Sequence, residues 1–286
     1  MSLGAEATLA AEVSDEWRMA ALGYAPDGVS MSRGMRKTDT TLTVEALLVS
    51  GADDTILPGG EVMIGHSTMD TGYKTSGIFK PSVDVVTDAP DVLGQMLAQT
   101  EKGAALRGVI PVFGGEGTVG ARKGEMEVPL DAWYVIRDGE QSGWEHCMTH
   151  IEMQVKYSNS GGSSVKGDTS EEHFTQMSAQ GWRLHAILPT PVSARVQASI
   201  PTPMHFFWSR PIENPPVLDC FIGDLQVRTK SSMSGKVTSS TSEFREPIAN
   251  LVTQGWIMGS LIGWPGHSIK GATVIQSYKA FFQRVQ

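Results

Sequence analysis

The chain has 286 residues, 40% of them hydrophobic and 19% charged, with a formal net charge of −8 and a pI near 5.4. This is the composition of a globular protein with enough chain for one large domain or two of common size. No apolar run approaches the roughly 18 residues of a membrane-spanning helix, and an acidic surface repels phosphate backbones, so neither a bilayer span nor a nucleic-acid partner is expected.

The N-terminal "MSLGAEATLAAEVSDEW" lacks a basic segment followed by an apolar core, so no secretory leader is expected. Ser2 rather than glycine follows Met1, which leaves no myristoylation signal. In "VSDEWRMAALGYAPD" (13–27), Trp17, Met19 and Ala21 alternate as on a strand, and "TLTVEALLVS" (41–50) supplies a second one. Asp53 and Asp54 in "SGADDTILPGG" read as a solvated turn. "GEVMIGHSTM" (60–69) is the next strand. A helix then begins with Asp88 as cap and Pro90 in its first turn, and Val92, Met96 and Leu97 face inward. "EKGAALRGVIPV" (101–112) follows that helix, and "VPLDAWYVIRD" (128–138) is a further strand. Between them, Gly115, Gly117 and Gly120 match a dinucleotide-binding spacing. No helix opens on those glycines, so a hairpin loop is the expectation.

"CMTHIEMQVKY" (147–157) and "FIGDLQVRT" (221–229) alternate as strands. His146 and His150 share a face that Cys147 leaves, and no second Cys/His cluster completes a metal site. The two cysteines, Cys147 and Cys220, suit a reducing compartment. The Ser/Gly/Lys-rich stretches 156–170 and 228–242 read as loops, open to phosphorylation or contact with anionic lipid. A helix follows each: one with Thr169 and Glu172 as a capping box and Phe174 and Met177 inward, the other with Phe244, Ile248, Leu251 and Val252 on one face. Each helix runs into a Gly-Trp pair, Gly181-Trp182 or Gly255-Trp256, and then into a strand. "MHFFWSRP" (204–211) and "TVIQSYKAFFQRV" (273–285) close the two copies.

The recurrence of this context defines an internal repeat. Gly103, Gly181 and Gly255 end helices in the left-handed region that glycine occupies without penalty, and Trp182 and Trp256 open strands. These five residues are the joints of the repeat. The expected fold is α+β, with tandem β-α-β-β repeats and antiparallel sheets each covered by a helix. Residues 1–138 hold an incomplete first copy and a second one. Residues 139–286 hold two more, at about 145–212 and 218–286.

"GWRLHAILPTPV" (181–192) followed by "HFFWSRP" (205–211) resembles the C-terminal repeat region of the raftlin family. Leu188, Pro189, Thr190, Pro191 and Val192 match its Leu-Pro-Thr-Pro-Val phrase, and Arg210 and Pro211 its Arg-Pro end. The resemblance implies a non-enzymatic protein of membrane rafts, linked to receptor signalling and ligand uptake. Raftlins are acylated at an N-terminal Gly-Cys pair, which Met1-Ser2-Leu3 does not supply.

No catalytic constellation stands out. His66, His185, His205 and His267 lie on different copies, and no G-x-S-x-G elbow is present. Phe206, Trp208 and Trp264, with Trp144 and Phe207 nearby in sequence pattern, are either an interaction surface or the packed contact between copies. The expectation is a non-catalytic scaffold with no cofactor or metal. It would be cytoplasmic, peripheral at the plasma membrane, with protein partners and weak attraction to anionic membrane. The alternative is an enzyme or small-molecule binder using a cleft between repeats.

Overall fold

A computed structural model describes residues 17–33, 38–50, 60–76, 82–112, 117–119, 123–136, 143–157, 162–190, 199–231, 237–240, 242–270 and 273–286. The alternating stretches near the start form a hairpin, β1 (Trp17–Arg33) and β2 (Thr38–Ser50). A second unit comprises β3 (Glu61–Ser76), β4 (Ser82–Asp88), helix α1 (Pro90–Glu101), β5 (Ala105–Pro111), β6 (Gly117–Val119) and β7 (Lys123–Ile136). The third holds β8 (Trp144–Tyr157), β9 (Ser163–Lys166), α2 (Ser170–Ala179), β10 (Arg183–Pro189) and β11 (Ser199–Pro211). The fourth holds β12 (Leu218–Ser231), β13 (Val237–Ser240), α3 (Ser242–Thr253), β14 (Ile257–Lys270) and β15 (Thr273–Val285).

The expected α+β class and the β-α-β-β order are corrected by this element list. The chain is predominantly β, with a nearly closed, barrel-like sheet and a half-barrel. Two strands, not one, precede each helix. The strand order is β4-β3-β7-β5 in the second unit, with β6 beside β7, and β10-β11-β8-β9 and β14-β15-β12-β13 in the next two. The sheets are not private to a unit either: β9 pairs with β14 at Ser163 and His267, joining two units into one eight-stranded sheet. Nor does each helix serve only its own unit. Helix α1 packs on β3 and on β8 of the next unit, and α2 on β12 of the unit after it. Four strands were not expected, β4, β6, β9 and β13; of these β9 and β13 are short and lie in Ser/Lys-rich sequence. Their place is set by backbone ladders, which leave no hydrophobic period to read.

The three helix ends are built alike. Gly103, Gly181 and Gly255 have φ of 71°, 80° and 82°. In α2 the Gly181 N–H donates to the Ser178 carbonyl and the Trp182 N–H to the Met177 carbonyl; α1 and α3 repeat this at Gly103/Ala104 and Gly255/Trp256. These bonds satisfy carbonyls that the helix leaves open. The starts differ from expectation. Ala89, not Asp88, precedes α1 and offers no side-chain cap. Thr169 makes no capping bond in α2; Asp168 accepts the Ser170 N–H instead, at 2.9 Å. Leu97 of α1 faces outward, 62% exposed, because Val92, Met96 and Gln99 occupy the inner arc.

The same one-residue shift recurs in β1, the strand that opens the first hairpin, and in the strand after each of the three described helices. The ladder register shifts between Met19 and Ala21, Leu106 and Gly108, Leu184 and Ala186, and Met258 and Ser260. The bulged residues are therefore Ala20, Arg107, His185 and Gly259. The four bulged strands close a ring, with β1 against β5, β5 against β10, β10 against β14, and β14 against β1. Bulges bend their strands and sharpen twist, which lets four strands meet at one centre. Two apolar cores flank it, one around Leu106, Tyr134 and Phe207, the other around Phe174, Phe206, Trp208 and Phe281.

Candidate functional site

A groove of about 620 Å³ opens in the second unit, where β3, the start of α1 and β7 meet. Gly65 permits the approach, since a Cβ there would run into the Gln95 side chain. Gln95 Nε2 in turn donates to the His66 carbonyl at 2.9 Å. His66 Nδ1 lies 2.7 Å from Asp131 Oδ1; the His66 side chain is 73% exposed and that of Asp131 only 6%. A carboxylate oxygen accepts and His66 Nδ1 donates to it, which in the neutral imidazole leaves the lone pair on Nε2. The pair leaves a basic nitrogen at the rim of the groove. Asp91 adds a second carboxylate and Pro129 and Leu130 an apolar floor. The Ser67 hydroxyl is enclosed without a partner. Sequence reading named His66 but not Asp131, which is 65 residues away and is brought beside it by the β3–β7 ladder. The groove lies within one unit, not between units.

Most other histidines are engaged inside the protein. Leu106 N–H donates to His146 Nε2 at 3.3 Å, so the proton sits on Nδ1 and goes to Thr100 Oγ1 at 2.7 Å. This ties α1 to β8. His205 Nε2 is 2.9 Å from Thr190 Oγ1, which is 3.1 Å from Thr87 Oγ1 of the second unit. His267 Nδ1 and Ser163 Oγ, 2.8 Å apart, tie the fourth unit to the third. His185 meets Ser209 at 2.7 Å and His173 meets Thr149 at 2.7 Å. Burial holds His146 and His205 down to about 4 and His185 well below its ordinary range. At the ring centre, burial lowers Arg107 well below the usual guanidinium value, with Arg183 and Arg18 adding repulsion; burial brings Arg183 down to about 9.

The five joint residues stand at the helix-to-strand turns described above. Arg210 lies over the Trp182 ring at 4.4 Å and Arg284 over Trp256 at 4.5 Å. Arg210 pairs with Glu145 and Arg284 with Asp219, the same cross-strand arrangement in two units. Of the candidate interaction aromatics, Phe206 and Trp208 are wholly enclosed and Trp264 is 4% exposed. They stack within the core shared by the third and fourth units, where Phe206, Trp208 and Trp264 join Phe281. Trp264 donates from Nε1 to Asp168 at 3.0 Å, and Lys279 reaches the same carboxylate at 2.8 Å. They form the packed contact between copies rather than an outer surface.

Cys147 and Cys220 are free thiols, and burial pushes Cys147 up to about 12, with Glu145 adding to it. Among the described residues no group of three His, Cys, Asp or Glu is placed to hold a metal ion. Gly115, Gly120, Asp53, Asp54 and the loop segments 158–161 and 232–236 lie outside the described residues. No helix among the described residues is long and apolar enough to cross a membrane. The chain matches no protein-family model and no curated protein sequence.

Proposed function

We propose that the chain is a non-catalytic scaffold that presents its surface to protein partners, akin to the raftlin family and peripheral at the cytoplasmic side of the plasma membrane. One observation carries the reading. The side chains best suited to chemistry are spent on joints between units: His146 with Thr100, His205 with Thr190 and Thr87, His267 with Ser163, Asp168 with Lys279. Such ties hold several units as one rigid body. The raftlin kinship rests on Leu188–Val192 and Arg210-Pro211.

A second reading has its own support in the His66–Asp131 pair, whose geometry suits a general base acting on a ligand in the groove. A metabolite thermal-shift and turnover screen decides between the two. The scaffold reading expects no saturable rise in Tm that His66→Ala removes. Turnover of a defined metabolite, lost in His66→Ala or Asp131→Asn, sinks it. For the membrane, sedimentation with anionic vesicles is expected to be weak and to disappear as salt rises. Salt-resistant binding to neutral vesicles contradicts peripheral attachment.

A further inference from the structure

The three helices occupy the same position in their units, which makes each a control for the others. The outward arc of α2 carries Glu171, Glu172, Thr175 and Gln176, and from Glu246 onward, where its side chains are described, α3 exposes Glu246, Pro247, Ala249, Asn250 and Thr253. Helix α1 differs. Its outward arc presents Leu93 and Leu97, 47% and 62% exposed, with Gly94 and Ala98 beside them. Neither α2 nor α3 exposes a large apolar side chain among the described residues. Leu93 and Leu97 are one turn apart on the same side, Gly94 has open space above it, and Pro90, Asp91 and Gly94 pass directly into the groove.

We propose that the outer face of α1, with the adjoining groove, docks a short amphipathic helix of a partner protein whose apolar stripe is flanked by lysine or arginine. This rests on the interaction-protein reading above and names the surface and partner class for it. Charge selects the partner. Asp88, Asp91 and Glu101 flank the leucines against the lone Lys102 of this stretch, and Asp91 with the His66–Asp131 pair makes the groove rim acceptor-rich. Residues 1–16 of the chain carry Glu6, Glu12, Asp15 and Glu16, the wrong sign for this site. Area argues against a second copy. A helix of 12 residues offers a face of roughly 18 by 10 Å, far below the about 800 Å² per partner of a stable dimer. A helix laid on it uses the leucines as anchors and sends one basic side chain into the groove.

The test titrates a labelled leucine/lysine amphipathic peptide into the full chain, at low and raised salt, against a twin with glutamate in place of lysine. Binding of the lysine peptide, weakened about tenfold by the double change Leu93→Gln/Leu97→Gln and weakened by Asp91→Lys/Glu101→Lys, supports the proposal. Ile212→Gln/Val217→Gln, at exposed apolar residues elsewhere, leaves it unchanged. All substituted positions are exposed, and an unaltered Tm checks that the fold persists. Equal binding of the glutamate twin, or full binding by the leucine variant, overturns it. So does self-association of the chain that the leucine variant abolishes, because the occupant is then a second copy. Failure here removes this surface alone; the scaffold reading falls only to the metabolite screen.

Discussion

Gly181 and Gly255 close equivalent helices at nearly the same φ, yet their surroundings differ. A Cβ on Gly181 would lie 2.7 Å from Pro215 Cβ and 2.8 Å from the Pro216 carbonyl oxygen, whereas one on Gly255 meets only Arg284 Cδ at 3.7 Å. Gly255→Ala is therefore expected to cost the left-handed penalty alone, about 1 kcal/mol. Gly181→Ala adds overlap with backbone and should cost ~3 kcal/mol. Urea denaturation midpoints of the two variants check the difference; equal shifts contradict it. Gly259 is a third case, at a bulge. Its φ is ordinary, but a Cβ there would overlap the Leu184 carbonyl oxygen where β14 meets β10. Gly259→Ala should destabilise by on the order of 3 kcal/mol, with the fourth unit loosening from the third in hydrogen exchange.

Between elements, Asp168 has the densest duties. It caps α2 through the Ser170 N–H, accepts from Trp264 on β14 and holds Lys279 of β15. Burial works against its charge, and the bonds from Lys279 and Ser170 overcome it, leaving its pKa lowered. Asp168→Ala should cost ~2 kcal/mol and expose the Trp264 ring, read as a red shift in fluorescence; an unshifted spectrum with unchanged stability refutes the tie. The links to Trp264 and Lys279 were not visible in the sequence, because those partners are about a hundred residues from Asp168. The Gly-Trp turns were legible, since a helix terminus of this kind needs glycine at one fixed offset. The amphipathic strands and helices were legible for the same local reason. The sheet that runs through Ser163 and His267 was not, because backbone pairing carries no residue signature. Asp131 escaped notice likewise: only the β3–β7 register gives it His66 as a neighbour. The inward placement assigned to Leu97 failed because a twelve-residue helix with three buried positions leaves an apolar residue over.

At the scale of the molecule, the joints are built from neutral histidines, and that makes stability a function of pH. His146 and His205 sit near 4 when folded and near 6.5 when unfolded. The unfolded chain thus binds protons first on acidification. The stability these residues hold is complete above pH 6.5 and is lost as pH falls toward about 4, by about 1.4 kcal/mol per pH unit for each residue. Both serve the contact between the second and third units, so that contact should open first. Hydrogen exchange at falling pH is expected to show β5, β8 and β10 losing protection before β12 and β15. His146→Gln/His205→Gln should flatten the pH profile of the urea midpoint between 6.5 and about 4. A profile as steep as that of the unaltered chain rejects the assignment.

The ring of bulged strands has a temporal side. β1 completes it by meeting β14, so the first hairpin depends on residues made some 220 positions later than its own last strand. On a ribosome adding about 5–20 residues per second, that is a wait of roughly ten to forty seconds. A two-stranded hairpin is marginal in water by itself, so its contact with β5, made well before β14, is what can hold it over that interval. Closure of the ring therefore comes last, after β1 has already met β5 and β10.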